Sequence, residues 1–475
     1  MMVISYEQHK RTARRETARR GLPPAILMLT TDTRLNNACL CYGHPCDVRS
    51  RGKRGGHALT SKGRDSTMSN RKPLVPLSAF IAPEGVKSVL TTPFGGLPWR
   101  SQIATYREYQ QIFVQGTEVF APNNYPATKG ELRELSAKLI AGCSPSEITF
   151  SPNTTGALNT LIGCMVMDDL HPDENVVVPN SAYSTISLGV SRLERLGVEM
   201  RLCGEMKEEI CAAIDEKTRL VAIDACDYVS GELREMEAIA EAAHAVRARI
   251  IVDVSQAAGV IPLNLAHFDA LFGTTGKWLG LGSNGVALCW VNREKWPNIT
   301  PEALGWYSVL PFDLPFTGRY ELRSDGQRLE TGGLPWSLLY NLRDALRNLI
   351  GLYERLGEGD LRRGQTQVMQ HVRSLGDEII SALDGLNLGL TIISPREAEK
   401  RGGYISVKMS DEQAAAVCSR LNARGVYLSS GQGRLRLGPW IFNGSEDVKL
   451  AVLLLGETLR EMGFNPNDPA WVGRQ

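Results

Sequence analysis

The sequence predicts an α/β protein: a large domain on a mainly parallel sheet, followed by a small C-terminal α/β domain. Three observations carry this. Short β-branched runs recur at Val176–Val178, Leu220–Ile223 and Ile250–Val254. Between the last two lies 236–247, an alanine-rich segment with helical periodicity, so strand, helix and strand follow at the interval of a βαβ unit. Beyond residue 336, long helical periodicity gives way to a second, smaller alternation of strands and helices.

In chain order, residues 1–72 form a basic leader without sustained periodicity. They hold fifteen Lys and Arg against five Asp and Glu, a net charge of +10, while the whole chain of 475 residues carries only +1. The remainder is therefore acidic, and nothing in it has the basic footprint of a nucleic-acid binder. The leader reads as a disordered extension, or as residues ahead of a start at Met68; its arginines also leave organelle targeting open, against a cytoplasmic reading. From Glu131 onward Leu132, Leu135, Leu139 and Ile140 recur at helical spacing. Strands are expected at Glu147–Phe150 and Gly285–Val291. A Pro-, Trp- and Gly-rich passage, 296–335, closes the large domain. Helices are expected at 336–356, 365–386, 411–423 and 445–462, and strands at 404–407, 425–428 and 434–437. The expected organisation is leader 1–72, large domain 73–335, and connecting helices with small domain 336–475.

Composition narrows the class. Hydrophobic residues are 43% and charged residues 22%, and no apolar run approaches the roughly 18 residues of a membrane span. Of ten cysteines, three lie in the leader and none forms a zinc-like Cys-x-x-Cys pair, which suggests reduced thiols in a cytosol-like compartment and no metal site.

Three constellations carry chemistry. The strand Ile250–Val252 ends in Asp253, where open parallel sheets bind ligands. A carboxylate there can hold a cationic ring nitrogen; alone, it reads equally well as a helix cap. Lys277 follows 24 residues later in Gly273-Thr-Thr-Gly-Lys277, and a lysine of lowered pKa can form a Schiff base with an aldehyde. Alone, it is a lysine in a turn. Third, Asn153-Thr154-Thr155-Gly156 opens a helix after a strand, where free N–H groups and hydroxyls cradle phosphate. Alone, this is an ordinary helix cap.

Together, in this order, the three resemble the site of fold-type I pyridoxal phosphate (PLP) enzymes, and more narrowly of the class V aminotransferase family, which includes cysteine desulfurases, isopenicillin N epimerase-like proteins, C–S lyases and kynureninases. The resemblance covers about 94–459, through Asp253-Val-Ser-Gln256-Ala-Ala-Gly259 and Asn153-Thr-Thr-Gly-Ala-Leu-Asn159. It implies a fold-type I large domain with a small C-terminal domain, and pyridoxal 5'-phosphate joined to Lys277. It further implies Asp253 on the pyridine nitrogen, Gln256 near the phenolic oxygen and Tyr183 against the ring. Thr154, Thr155, Gly156 and Thr274 would lie at the phosphate. Trp306, in a Gly-Trp-aromatic segment resembling that of kynureninases, would also reach the phosphate, and Arg436 would take a substrate α-carboxylate.

Some family features are missing. The loop before Arg436, Leu428-Ser-Ser-Gly-Gln-Gly433, lacks the cysteine that desulfurases place there. Gln256 and Gly276 stand where kynureninases carry His and Tyr, and Gly276 suggests open space beside the lysine. The resemblance therefore implies an enzyme that acts on an amino acid, with a lyase or side-chain reaction ahead of transamination or epimerisation; a catalytically degenerate relative is the non-enzyme alternative. It also implies a homodimer, with 296–335 closing on the partner. Of the histidines, His244 is expected to be structural, and His267 and His371 to lie at the surface.

Overall fold

The computed structural model describes residues 70–115, 124–140, 142–310 and 317–472. The chain divides into units 1–65 and 66–475, and all described residues belong to the second. Except for residues 70–72, the expected leader lies outside the described residues.

After a two-residue strand, β1 (Ser88–Val89), seven strands make the central sheet: β2 (Ile148–Ser151), β3 (Asn175–Pro179), β4 (Glu199–Cys203), β5 (Thr218–Asp224), β6 (Arg249–Asp253), β7 (Ala270–Thr274) and β8 (Ala287–Val291). Their spatial order is β2-β8-β7-β6-β5-β3-β4. Neighbours from β7 through β4 are parallel, and β8 alone runs antiparallel to both of its neighbours. A parallel sheet is covered on both faces, so its strands are continuous apolar runs: Val176, Val177 and Val178 are all fully buried. The exception is β4, an edge strand whose Glu199 and Leu202 are exposed; its mixed composition left it without a strand signature.

The helices follow from their buried faces. Two precede the sheet, α1 (Gln102–Val114) and α2 (Asn124–Ile140). One face of the sheet is covered by α3 (Thr154–Asp168) and α4 (Ser184–Ser191) through Leu158, Leu161, Ile162, Ile186 and Val190. After the short α5 (Lys207–Ala212), the other face receives α6 (Met236–Ala245), whose Ala240 and Ala243 allow close approach, and α7 (Trp336–Leu356), through Leu339, Leu342 and Leu346. The sequence periodicity predicts α7 to the residue. Next, α8 (Leu361–Gly385) leads to a smaller module with its own core: the antiparallel sheet β11-β12-β9, made of β9 (Ile405–Lys408), β11 (Ser429–Ser430) and β12 (Arg434–Leu437), under α9 (Asp411–Ala423) and α10 (Ser445–Glu461). The N-terminal segment joins this module, because β1 pairs in parallel with β10 (Val426–Tyr427).

His371 departs from its expected surface place. It is 6% exposed, and its Nε2 lies 3.0 Å from the Asn443 carbonyl, because its face of α8 packs on the 440–443 turn. At the β2 edge a buried charge cluster ties α2 to the passage before α7. Glu330 accepts Arg133 Nη2 at 2.7 Å and the Phe150 N–H at 3.3 Å, and pairs with Lys129. Removing one partner of a buried ion cluster leaves charge uncompensated. Glu330→Ala is therefore expected to lower unfolding free energy by about 3–5 kcal/mol, read from denaturant titration.

Candidate active site

The site forms where the parallel strands end. Asp224 and Asp253, the last residues of β5 and β6, are register partners, and Thr274 ends β7. Lys277 follows three residues beyond Thr274. The N-terminus of α3 enters from the side, and Thr154 reaches the same cavity, of about 110 Å³, as Asp253, Gln256, Thr274 and Lys277. Asn153 caps this helix, its Oδ1 accepting the Gly156 N–H at 2.8 Å. Tyr183 precedes α4 and stands edge-on to Tyr228 at 5.0 Å, with the Lys277 amine 6.0 Å from its ring centre.

Burial governs the electrostatics. Asp253 accepts the Ser255 N–H at 2.7 Å, yet burial pushes its pKa above the usual carboxylate value. Burial brings the Lys277 amine down to about 8; the Asp253 carboxylate opposes this shift and Arg436 reinforces it. Gln256 is anchored at both amide atoms, its Nε2 donating to the Pro93 carbonyl at 2.9 Å and its Oε1 accepting from Trp278 Nε1 at 3.1 Å.

Lys277, Tyr183, Tyr228 and Asn284 also line an adjoining outer cleft of about 470 Å³, where Arg436 projects from β12. Arg436 is 8% exposed, its Nε has no hydrogen-bond partner, and among the described residues no carboxylate pairs with it. A buried guanidinium left open toward a cleft suits an anionic ligand. Two residues earlier, Arg434 also has an Nε without a partner, but its Nη groups are engaged: they donate to the Gln432 carbonyl at 3.0 Å and the Tyr228 carbonyl at 2.7 Å, and the guanidinium lies over the Tyr228 ring.

The structure thus brings together Lys277, Asp253, Thr154, Tyr183, Gln256, Thr274 and Arg436. It does not bring three other expected residues to either cavity. Thr155 is exposed and bonds Thr185 at 3.1 Å, and Gly156 has its N–H taken by the cap. Trp306 is 66% exposed and packs on Tyr307, because Ser308 bonds the Glu330 carbonyl and holds its segment at the β2 edge. Gly276 lines the outer cleft beside Lys277, but backbone occupies its Cβ position: a Cβ there would sit 2.5 Å from the Ser283 carbonyl oxygen. Sequence reading missed Asp224, Cys226, Tyr228, Ser255 and Asn284. Asp224 carries the signal that marked Asp253, an acid at the end of an apolar strand. His244 contacts Asp269 at 2.9 Å, apart from the site. Among the described residues no His, Cys, Asp and Glu group has the form of a metal site, and no helix is long and apolar enough to cross a membrane.

A mainly parallel sheet with a lysine beyond β7, facing an acid at the end of β6, is the arrangement that the sequence motifs anticipate. The chain belongs to the class V aminotransferase family, whose model matches residues 106–435. Among curated proteins it is similar to a kynureninase of Pseudomonas fluorescens, 24% identical over 418 residues, 84% of this chain and 96% of that protein. It is also similar to a probable cysteine desulfurase of Methanothermobacter thermautotrophicus, 26% identical over 357 residues, covering 70% and 83%. Among solved structures it shares the fold of an apo cysteine desulfurase from Thermococcus onnurineus NA1, with TM-score 0.68 and 19% identity over 83% of this chain and 99% of that one. A lysine-to-alanine mutant of C-DES, with glycine covalently linked to the PLP cofactor, superposes with TM-score 0.70 at 18% identity, covering 81% and 99%.

The lowered lysine pKa has a direct readout. In the protein without cofactor, trapping of a small aldehyde on Lys277 by borohydride, followed by peptide mass spectrometry, should rise with a midpoint near pH 8, well below that of an ordinary lysine. Asp253→Asn removes the group that supports the ammonium form, so the midpoint should move to lower pH.

Proposed function

We propose that the protein is a pyridoxal phosphate-dependent enzyme acting on an amino acid, and that the observation carrying this reading is Lys277, set at the junction of two cavities between the buried carboxylate of Asp253 and the unpaired guanidinium of Arg436. The residues fit the cofactor. Asp253 suits a protonated ring nitrogen, Thr154 and Thr274 with the start of α3 suit a phosphate, and Tyr183 and Gln256 wall the space between. Bound there, pyridoxal phosphate supplies an electron sink for the substrate's Cα bonds. Lys277 would hold the cofactor covalently, and its amine, brought down to about 8 by burial, could take and return a proton at the substrate. Arg436 binds the α-carboxylate and so fixes which Cα substituent faces the lysine.

Within that class we favour cleavage or formation of a side-chain bond. Kynureninases, a cysteine desulfurase and a cystine C–S lyase among the similar proteins support it. The hairpin Leu428–Gly433 carries no thiol, which argues against a desulfurase that uses a cysteine there. Transamination is the second reading, supported by uncharacterized aminotransferases of Schizosaccharomyces pombe and Bacillus subtilis, each 24% identical. We further propose a homodimer, in which the exposed Leu304, Trp306 and Leu310 meet the partner. A reducing, cytoplasm-like compartment is supported by the seven free cysteines of the described residues.

Purified protein with added pyridoxal phosphate should gain near-visible absorbance, and borohydride should fix the cofactor to the Lys277 peptide. Lys277→Ala should bind cofactor without that link and lose about 10²–10⁴-fold in turnover. Arg436→Ala should raise KM for amino acids, equivalent to about 2–5 kcal/mol, with cofactor affinity unchanged. Covalent trapping elsewhere, or full turnover by Lys277→Ala, would overturn the reading.

A further inference from the structure

The inner cavity holds a second carboxylate, which that reading leaves unused. Asp224 and Asp253 end adjacent parallel strands in register, so their side chains leave the same face, with backbones about 4.8 Å apart. Asp224 is 3% exposed. Its Oδ1 accepts Arg234 Nε at 2.9 Å, while its Oδ2 has no hydrogen-bond partner, and the residue lines the cavity beside Asp253.

Arg234 does not balance Asp224 alone. Its Nη2 lies 3.1 Å from Asp227 Oδ2 and 2.9 Å from Ser181 Oγ, and its Nη1 donates to the Glu205 carbonyl at 3.1 Å. The Glu205 carboxylate stands 4.0 Å away. Asp227 is further satisfied by the Val229 and Ser230 N–H groups, at 3.0 and 2.6 Å, and the Ser230 hydroxyl, at 2.8 Å. Asp227 is thus held as a carboxylate and takes up much of the arginine's charge. Asp224 is left with one donor and one open oxygen, facing Asp253, Lys277 and Cys226 in the cavity. A buried carboxylate with an open oxygen is costly unless a ligand or a proton completes it.

We propose that Asp224 is a positioning residue of the cofactor site: with Asp253 it forms a two-carboxylate floor, and its charge state sets how firmly Asp253 and a ring nitrogen share their proton. This rests on the pyridoxal phosphate reading. Burial raises Asp224 to about 7; the charges of Asp227 and Asp253 act in the same direction, and Arg234 opposes them. Below that pH the residue is neutral. Above it a second negative charge stands beside Asp253 and favours keeping the ring proton.

The test is a pH titration of cofactor absorbance from about pH 5 to 9 on the holoenzyme and on Asp224→Asn, which keeps the shape and removes the charge. The wild type should show a step near pH 7 that the variant lacks, and the variant's ring-proton midpoint should fall by at least about one pH unit. Should Asp224→Asn fold poorly, the infrared spectrum of wild-type holoenzyme gives an independent reading: a carboxylic-acid band should appear as pH drops through about 7. Coincident absorbance titrations, or no carboxyl titration near neutrality in the wild type, would overturn the role of Asp224 alone. A wild type that never acquires cofactor absorbance would overturn the parent reading as well.

Discussion

Much of this site depends on one strip of backbone, the loop that leaves β5 at residues 227–230. Its four consecutive carbonyls each accept a hydrogen bond from the C-terminal module: Tyr404 at 2.9 Å to Asp227, Arg434 at 2.7 Å to Tyr228, Ser406 at 2.7 Å to Val229, and Ser394 to Ser230. Buried carbonyls must find donors, so this loop cannot shift without breaking several bonds at once. The strip fixes where β9 and β12 stand against the end of the large sheet. Arg436 lies two residues beyond Arg434 on the same strand face, so its distance from Lys277 is set by the same bonds. The N–H groups of Val229 and Ser230, turned the other way, hold Asp227 and through it Arg234. Substrate anchor and buried charge network share one support.

The chemistry of the site follows from what that support keeps dry. In water a lysine is almost wholly protonated at neutral pH; in this cavity desolvation moves the balance toward the neutral amine. The same desolvation moves Asp253 toward its protonated form. The two charges favour each other, so the cavity tolerates the lysine–aspartate pair better than either group alone. A cationic ring nitrogen would stand in the same relation to Asp253 as the ammonium does.

The elements most legible in the sequence are those whose burial is one-sided or complete. Leu339, Leu342, Leu346 and Leu349 mark α7 because only one face is apolar, and Val176–Val178 mark β3 because both faces are covered. Edge strand β4 and helix α1 escaped notice because exposed positions carry no period: Glu199 and Leu202 on one, Tyr106, Phe113 and Val114 on the other. In the site, Asp253, Lys277 and Arg436 were legible because each follows a strand or turn signature. Tyr228 and Asn284 were not, since they reach the cavities from loops whose course depends on tertiary contacts. Gly276 is half legible for a related reason. It does line the outer cleft beside the lysine, but only the path of Ser283 and Asn284 shows that backbone takes the place of its side chain.

The hairpin before Arg436 shows how that loop-borne information enters the site. Gly431, Gln432 and Gly433 all have positive φ, 136°, 56° and 75°. Two glycines adopt such values readily, but Gln432 does so at a cost of order 1–3 kcal/mol if nothing compensates. The compensation is visible: Arg434 donates to the Gln432 carbonyl, and the Gln432 amide oxygen accepts from Tyr228 Oη. Gln432 therefore faces Tyr228 across the outer cleft because the turn holds it there, and the same arginine holds the tyrosine's own carbonyl. Both Nη atoms of Arg434 are thus taken up by main chain, and the residue does not line the cleft; its charge is spent on geometry. Two guanidiniums two residues apart on one strand serve different ends, one tied to main chain so that the other can be left open for a ligand.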